Sequence, residues 1–483
     1  MEKVVTRFAP SPTGFMHIGG LRTALYAWLW ARKNTGIFIL RIEDTDQKRE
    51  VAGSVMHIQE SLEWIGLDWD YGPDKPGPFG SCIQSKRLET YTEAAHKLVA
   101  AGLAYPDPYT PEELDAFRKQ AAEAKRPFLF REHRPDSFLD WDGTRPLRFK
   151  VPDIKRYTWH DEVRGELTAG EEALDDFILI KADGYPTYNF AHILDDRAMG
   201  VTHIFRGDEF ISSTPRFLSL YDAMQIPWPK FVTLPPILRD DKTKKLGKRD
   251  GAKDIFEYRD EGYLPNAMRN FLALIGWNPG TEQEIFDTTE SLLAAFDVAQ
   301  IQTHGGVFNE EKLRWFNKQY LHSMRDDDFA AEALRILEEE VGNRGLPFDE
   351  DIAHAIVPVL KERISIWNDL RGIVREGDLD YYFVRPSLEV NKLPEKRSNV
   401  PDTQDHLHHI LHTLPSVSAF DAGNIKNSLW NYATEKGRGA VLWPFRYALT
   451  GKDKSPDPFT VASIIGKEET TERVKEAIRL LSV

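Results

Sequence analysis

Cysteine is nearly absent from this chain of 483 residues: Cys82 is the only one. A single thiol excludes an intrachain disulfide framework and any cysteine-rich zinc site. Long apolar runs are missing too, so no stretch reads as a bilayer span. Met1-Glu-Lys3 leads straight into a strand-like segment instead of a secretion signal, which makes the cytosol the expected compartment. There is no excess of positive charge. With 62 basic and 76 acidic side chains the net charge is −14, which argues against a general nucleic-acid coat protein while leaving local RNA contacts open. No internal repeat and no low-complexity tract interrupts the chain. What remains, 41% hydrophobic and 29% charged residues, is the composition of an ordinary globular protein. The length is too great for one core and predicts roughly three to five domains.

The most informative stretch is Arg7-Phe-Ala-Pro-Ser-Pro-Thr-Gly-Phe-Met-His-Ile-Gly-Gly20. Ahead of it, Lys3 to Ala9 has the short β-branched pattern of a buried first strand. Behind it, Gly19 to Lys33 reads as a helix with Leu21, Leu25, Trp28 and Leu29 on one stripe, stopping at Asn34 to Gly36. A Pro- and Gly-rich turn between strand and helix offers free N–H groups and a helix dipole to an anion. Gly19 and Gly20 would let a phosphate approach the backbone, and His17 adds a polar side chain there. A second motif, Lys242-Thr-Lys-Lys-Leu-Gly-Lys-Arg249, packs five bases into eight residues and reads as a phosphate clamp. Together the two motifs predict nucleotide binding.

Gly36 to Ile42 is an apolar run of strand length, so the chain opens strand, helix, strand. Its end delivers Glu43, Asp44 and Asp46, where parallel α/β sheets place ligand contacts. Ser54 to Leu67, Lys86 to Ala101 and Thr214 to Met224 have helical spacing, and Gly102 to Tyr105 closes the first half of the sheet. Residues 106–181 change texture, with short strands such as Leu147 to Val151, and read as an insertion. Ile193 to Asp196 and Val201 to Gly207 read as strands; Gly262 to Trp277 and Asn309 to Tyr320 read as connector helices. Beyond Asp326 the pattern is almost wholly helical, with Ile356, Val359, Leu360, Ile364, Trp367, Leu370 and Ile373 as one stripe on one helix. Asn399 to Asp405 reads as a polar break, Glu338 to Glu340 as solvated surface, and His408 and His412 as exposed histidines, not metal ligands.

Ala9-Pro-Ser-Pro-Thr-Gly14 with His17-Ile-Gly-Gly20 resembles the HIGH signature of class I aminoacyl-tRNA synthetases, in the form used by the glutamyl-tRNA synthetase family. The glutaminyl relatives usually read Pro-Pro-Glu-Pro-Asn-Gly and end in Gly-His, which this chain does not. The resemblance continues through Arg41-Ile-Glu-Asp-Thr-Asp46, Asp183 to Asn189, Thr202 to Gly207 and Lys245-Leu-Gly-Lys-Arg249. It reaches Phe445 to Gly451 and Ile465 to Glu469, and Trp315 also falls on a family motif. It implies an α/β fold: a Rossmann-like parallel-sheet catalytic domain in two halves (1–105 and 182–240), with an α+β insertion (106–181) that grips the tRNA acceptor end. A connector with the KMSKS-like loop (241–325) and a helical anticodon-binding region (326–483, two bundles meeting near 399–405) would follow.

The reaction so implied is ATP-dependent activation of glutamate and its transfer to the terminal ribose of tRNA(Glu). Joining a carboxylate to the α-phosphate needs no protein base, only positioning and cationic or N–H stabilisation. The resemblance puts His17, Lys245 and Lys248 in catalysis and Ser11, His17, Gly19, Gly20, Lys248 and Arg249 at ATP. It puts Arg7 on the γ-carboxylate and Glu43 on the α-ammonium, with Ala9, Ser11, Tyr188 and Arg206 completing the pocket. Bidentate arginine is the natural carboxylate partner. Asp44, Arg363 and Arg446 would contact tRNA, and Mg²⁺ would accompany ATP. A monomer, activation dependent on bound tRNA and no structural zinc are expected, because Asp107 and Tyr109 stand where a zinc cluster's first cysteines would fall.

Two departures bear on rate and acceptor-end positioning. Gly247 replaces the usual serine of the second signature, which predicts slower activation, and Asp208-Glu209-Phe210 replaces the more usual Glu-Asp-His. The other readings are a form that also charges tRNA(Gln), a catalytically retired RNA-binding paralogue, and a nucleotidyltransferase acting on another small acid.

Overall fold

The computed structural model describes residues 3–241, 244–247 and 253–482. The chain divides into two units, Met1–Phe316 and Asn317–Val483.

The first unit is built on a six-stranded sheet. Strand β1 (Val5–Phe8) leads through helix α1 (Ile18–Lys33) to β2 (Ile37–Leu40), which pairs parallel with β1. Helices α2 (Ser54–Trp64) and α3 (Leu88–Ala100) follow, then β3 (Ala104–Pro106), α4 (Pro111–Glu123), β4 (Leu147–Phe149), β5 (Tyr157–Asp161), β6 (Gly165–Ala169) and β7 (Phe177–Ile180). The chain continues through α5 (Tyr188–Ala198), β8 (His203–Gly207), α6 (Thr214–Ala223), β9 (Lys230–Leu234) and β10 (Ile237–Leu238). The main sheet runs β2-β1-β8-β9-β5-β6, parallel throughout except for the last pair. A separate antiparallel sheet holds β3-β4-β7. Residues 106–181 thus contribute β5 and β6 to the edge of the main sheet, and β4 and β7 to a second sheet completed by β3. Gly102 to Tyr105 therefore leads into that second sheet and not the main one.

Helix α1 forms because its apolar stripe faces the sheet: Leu21, Leu25 and Leu29 are fully buried and Trp28 nearly so. Each stabilises the unit by about 2 kcal/mol. Arg32 and Lys33 in the last turn complement the dipole before the Asn34 cap. Around Asp107 and Tyr109 the structure is ionic and aromatic. Asp107 accepts from buried Arg148 at 2.7 Å, Arg148 lies 3.5 Å over the Phe130 ring, and Tyr109 packs edge-on against Phe117 and Phe130. The unit closes with α7 (Ile255–Asp260), α8 (Pro265–Leu274), α9 (Thr289–Ala295), β11 (Gly306–Val307, paired with β10) and α10 (Glu310–Ser323), which contains the boundary.

Helices α11 (Asp326–Asn343), α12 (Glu350–Arg363), α13 (Trp367–Arg375), α14 (Asp380–Phe383), α15 (Val400–Thr413), α16 (Ala422–Lys436), α17 (Arg438–Thr450) and α18 (Pro458–Leu481) make the second unit. A kink at Gly466, with φ of 84°, divides α18. No described helix is long and apolar enough to cross a membrane.

Several sequence readings are corrected here. Ile193 to Asp196 is not a strand but lies inside α5. Four consecutive residues fit either period, and Tyr188, His192 and Asp195 share a face only in the helical one. The stripe from Ile356 to Ile373 spans two helices, because Ile364 and Ile366 take extended backbone and end α12 and start α13. Asn399 is no break but the N-cap of α15, its side chain accepting from Asp402 N at 2.8 Å. Glu340 is not solvated: it is 1% exposed and takes bonds from Arg371 at 2.7 Å and Arg375 at 2.6 and 2.8 Å. Replacing Glu340 by alanine strands two guanidiniums against α11. It should lower the melting temperature of the helical unit by about 3–6 °C, against less than about 1 °C for exposed Glu338→Ala, in thermal unfolding of the full chain.

Candidate active site

The parallel register puts the C-terminal ends of β1, β2, β8 and β9 on one edge, with Phe8 opposite Leu40 and Gly207 opposite Leu234. A cavity of about 700 Å³ opens at this edge, within the range of small-molecule sites, roughly 300–1,000 Å³. Its walls include Arg7, Ala9, Ser11, His17, Gly19, Gly20, Glu43, Tyr188, Arg206 and Lys245. Residues scattered over 240 positions of sequence therefore share one space.

The floor is a network of buried charge. Arg7 Nε donates to Asp196 at 3.1 Å, and Arg41 Nη1 donates to the same carboxylate at 2.6 Å. Arg41 also donates to Glu43 Oε1 through Nη2 at 2.9 Å and Nε at 3.3 Å. The adjacent Asp195 faces the other way and accepts from Arg87, Gln84 and Tyr91 at 2.8–2.9 Å. Burial raises the Glu43 carboxyl, with Arg41 and Arg7 pulling it back. Burial also acts to raise Asp196, but Arg41 and Arg7 together hold it below the ordinary carboxylate range. Among the described residues nothing donates to Glu43 Oε2, and Arg7 donates only through Nε and Nη1, which leaves Oε2 and Nη2 available to a ligand.

Arg206 differs from its neighbours. It is 5% exposed, donates through Nη2 to Thr214 at 2.7 Å, lies 4.5 Å over the Phe231 ring and has no partner for Nε. Among the described residues no carboxylate lies within ion-pair distance of it. Burial lowers its pKa, yet a guanidinium stays charged at any ordinary pH. A buried, uncompensated cation on a cavity wall is a site for an anion.

Tyr188 opens α5 and stacks on His192 at 4.5 Å, and burial raises its hydroxyl so that it stays a neutral donor. His17 caps α1, its Nδ1 accepting from Gly19 N at 3.1 Å. The two glycines have a packing reason as well: a Cβ on Gly19 would meet the His17 ring at 2.9 Å, and one on Gly20 would meet Met16 Sδ at 2.8 Å. Lys245 pairs with Glu209 at 3.0 Å, so the unusual Glu209 ties Lys245 to the segment after β8, and both line the cavity.

The sequence of this unit matches the family described as tRNA synthetases class I (E and Q), catalytic domain, over residues 3–315. Residues 318–478 match an anticodon binding domain. The chain belongs to the class I tRNA synthetases. Among its relatives, a glutamate–tRNA ligase of Anaeromyxobacter sp. (strain Fw109-5) is 38% identical over the full length of both chains. One from Clostridium botulinum (strain Hall) is 39% identical over 99% of this chain and 98% of its own. A solved glutamate tRNA ligase from Elizabethkingia meningosepticum, in complex with its amino acid, superposes with a TM-score of 0.87 at 35% identity, covering 99% of each chain.

Within this synthetase fold the predicted residues divide into four groups. Those named above line the cavity. Asp44 does not: it is buried and accepts from Ser85 N at 2.8 Å and Ser85 Oγ at 2.5 Å, joining the end of β2 to the following turn. Lys248 and Arg249 lie outside the described residues. In the helical unit Arg363 is 3.8 Å from Asp378, and Arg446 lies 4.8 Å over Trp443 and donates to Asp453 O at 2.9 Å. Sequence reasoning gave no site role to Arg41, Asp196 or His192, and took Glu209 only as a departure bearing on the acceptor end. A helical reading of residues 188–198 would have found two of them. Among the described residues no group of three or more His, Cys, Asp or Glu side chains is arranged to hold a metal.

Burial holds the His192 imidazole down to about 3, against an ordinary 6.5. The unfolded chain takes up that proton as pH falls through about 6.5, while the folded chain stays unprotonated there until about 3. Stability contributed by the neutral ring is thus full at pH 7 and lost on acidification. In urea titrations from pH 7 to 5, His192→Asn should lose about 1–2 kcal/mol less than the parent. An equal loss in both would contradict a neutral buried ring.

Proposed function

We propose that the chain is a glutamate–tRNA ligase. It joins glutamate to ATP as glutamyl-adenylate and passes the glutamyl group to the terminal ribose of tRNA(Glu). The observation that carries the substrate is Arg206, a buried guanidinium on the cavity wall without a carboxylate of its own. Arg7 and Arg206 take the γ-carboxylate, Glu43 the α-ammonium, and Tyr188, Ser11 and Ala9 the space between. An α-carboxylate so held attacks the α-phosphorus of ATP, and pyrophosphate leaves. The ribose hydroxyl then attacks the acyl carbon, and AMP leaves. The substrate carboxylate is already a nucleophile, so the protein contributes orientation and charge.

His17, Gly19 and Gly20 at the start of α1 bind the phosphates, and Lys245, Lys248 and Arg249 neutralise charge developing on them. Mg²⁺ enters with the ATP phosphates as part of the substrate. The acceptor end of tRNA lies on the 106–181 segment and near Asp44, residues 241–325 contact the stem, and Arg363 and Arg446 serve the anticodon in residues 326–483. The enzyme is a cytoplasmic monomer, and bound tRNA switches on activation. Whether tRNA(Gln) is a second substrate is decided by the same assay.

The test is charging with labelled glutamate on transcripts of tRNA(Glu) and tRNA(Gln), alongside glutamate-dependent pyrophosphate exchange with and without tRNA. Charging of tRNA(Glu) alone, with exchange only when tRNA is present, is the expected result. Charging of both would identify the broader form. No charging of either by folded protein would leave an RNA-binding paralogue.

A further inference from the structure

His57, on the second turn of α2, is bonded on both sides. Its Nδ1 accepts from the backbone N–H of Met16 at 3.2 Å, which fixes the tautomer: Nε2 carries the proton and donates to Asp254 Oδ1 at 2.9 Å. The ring is held face-on by Phe15 at 4.7 Å and tilted against Phe256 at 4.4 Å, and its side chain is 10% exposed. Ser61 Oγ lies 3.3 Å from Nδ1 and donates to the His57 carbonyl at 2.6 Å, fixing the same turn of α2.

Both partners of the ring adjoin His17. Met16 precedes it in sequence, and Asp254 pairs with it as an isolated antiparallel bridge, with Ile255 N donating to Met16 O at 3.2 Å. Asp254 is also the N-cap of α7, accepting from Phe256 N at 2.8 Å while Glu257 closes the capping box. One imidazole therefore joins three pieces: the turn that carries His17, helix α2, and the start of α7 where the chain returns from the basic segment.

We infer that His57 is a positioning residue that sets His17 against the ATP phosphates by clamping Met16 and Asp254 on either side of it. The inference rests on the ligase reading. It assigns His57 no contact with substrate. The charged glutamate contacts, Arg7 on β1, Glu43 after β2 and Arg206 on β8, are held by the Asp196 network and by Thr214 and not by the clamp. Loss of the clamp therefore acts mainly on turnover and little on glutamate affinity.

His57→Ala should lower kcat of tRNA-dependent pyrophosphate exchange by about tenfold and leave KM for glutamate within about twofold. Asp254→Ala, which removes the acceptor of the Nε2–H, should do the same, and the double variant should be no worse than the worse single one, because both break the same contact. His57→Gln, whose amide can still donate to Asp254, should recover the rate to within about threefold, and His57→Asn should not. Hydrogen exchange followed by mass spectrometry, which needs no activity, should show residues 14–20 and 254–260 exchanging faster in His57→Ala and β1 and β8 unchanged. Unchanged exchange in those two segments, additive losses in the double variant, or a rise in KM for glutamate at constant kcat would each overturn the inference. Absence of pyrophosphate exchange in the parent protein would instead overturn the ligase reading, with the hydrogen-exchange result still deciding whether the clamp exists.

Discussion

The carboxylate of Asp196, shared between Arg7 and Arg41, is the constraint on which the site depends. Taking such groups out of water costs several kcal/mol per ion, and the cost is recovered only when every charge keeps a well-placed partner. The network meets that condition by geometry: β1 supplies Arg7, the end of β2 supplies Arg41 and Glu43, and α5 supplies Asp196. Arg41 and Glu43 pair within one segment, but three elements must dock before Asp196 is shared between Arg7 and Arg41. Asp195, one residue earlier, binds Arg87 and Tyr91 and so ties α5 to α3 and its preceding turn. The floor of the cavity is thereby rigid before a ligand arrives.

That rigidity gives the remaining charge its meaning. Arg7, Arg41 and Arg87 face Glu43, Asp195 and Asp196. Two buried arginines of the cavity wall have no carboxylate among the described residues: Arg22, which spends both Nη atoms on the Ile275 and Pro235 carbonyls, and Arg206, whose one side-chain bond is to Thr214. The surroundings of Arg206 are aromatic, with Phe210, Phe217 and Phe231 near the guanidinium, so little solvent screens it. A ligand acid can supply the missing charge, and in the proposed function Glu43 takes the ammonium at the other end. The proposed selection of an amino acid with an acidic side chain rests on these two preorganised charges of opposite sign. The start of α1, with its N–H groups and His17, lines the same cavity, and the proposed function places acid and nucleotide at this one strand edge.

Much of this was legible in the sequence because the motifs sit at element ends. Arg7, Glu43, His17 and Arg206 stand at strand ends or a helix start, where hydrophobic periodicity stops and polar residues have a reason to be. The helical half was legible from its period alone. What the sequence hid were pairings between distant segments. Ile193 to Asp196 is short enough to satisfy a strand pattern, and that reading conceals Asp196 as the partner of Arg7, 189 positions away. Glu340 sits in an acidic run that reads as surface, and only the approach of α13 makes it buried. The break between α12 and α13 went unseen because Ile364 and Ile366 are apolar and keep the stripe continuous. Gly19 and Gly20 were read as room for phosphate, and the structure adds room for the His17 ring and Met16.

The central claim is that a buried guanidinium without a carboxylate selects a negatively charged side chain. The most direct measurement is kcat/KM for glutamate against glutamine in tRNA-dependent pyrophosphate exchange, with the same tRNA and ATP. An uncharged amide would leave Arg206 uncompensated, so glutamate should be favoured by more than about a thousandfold. Glutamine reacting within about tenfold of glutamate would contradict the account.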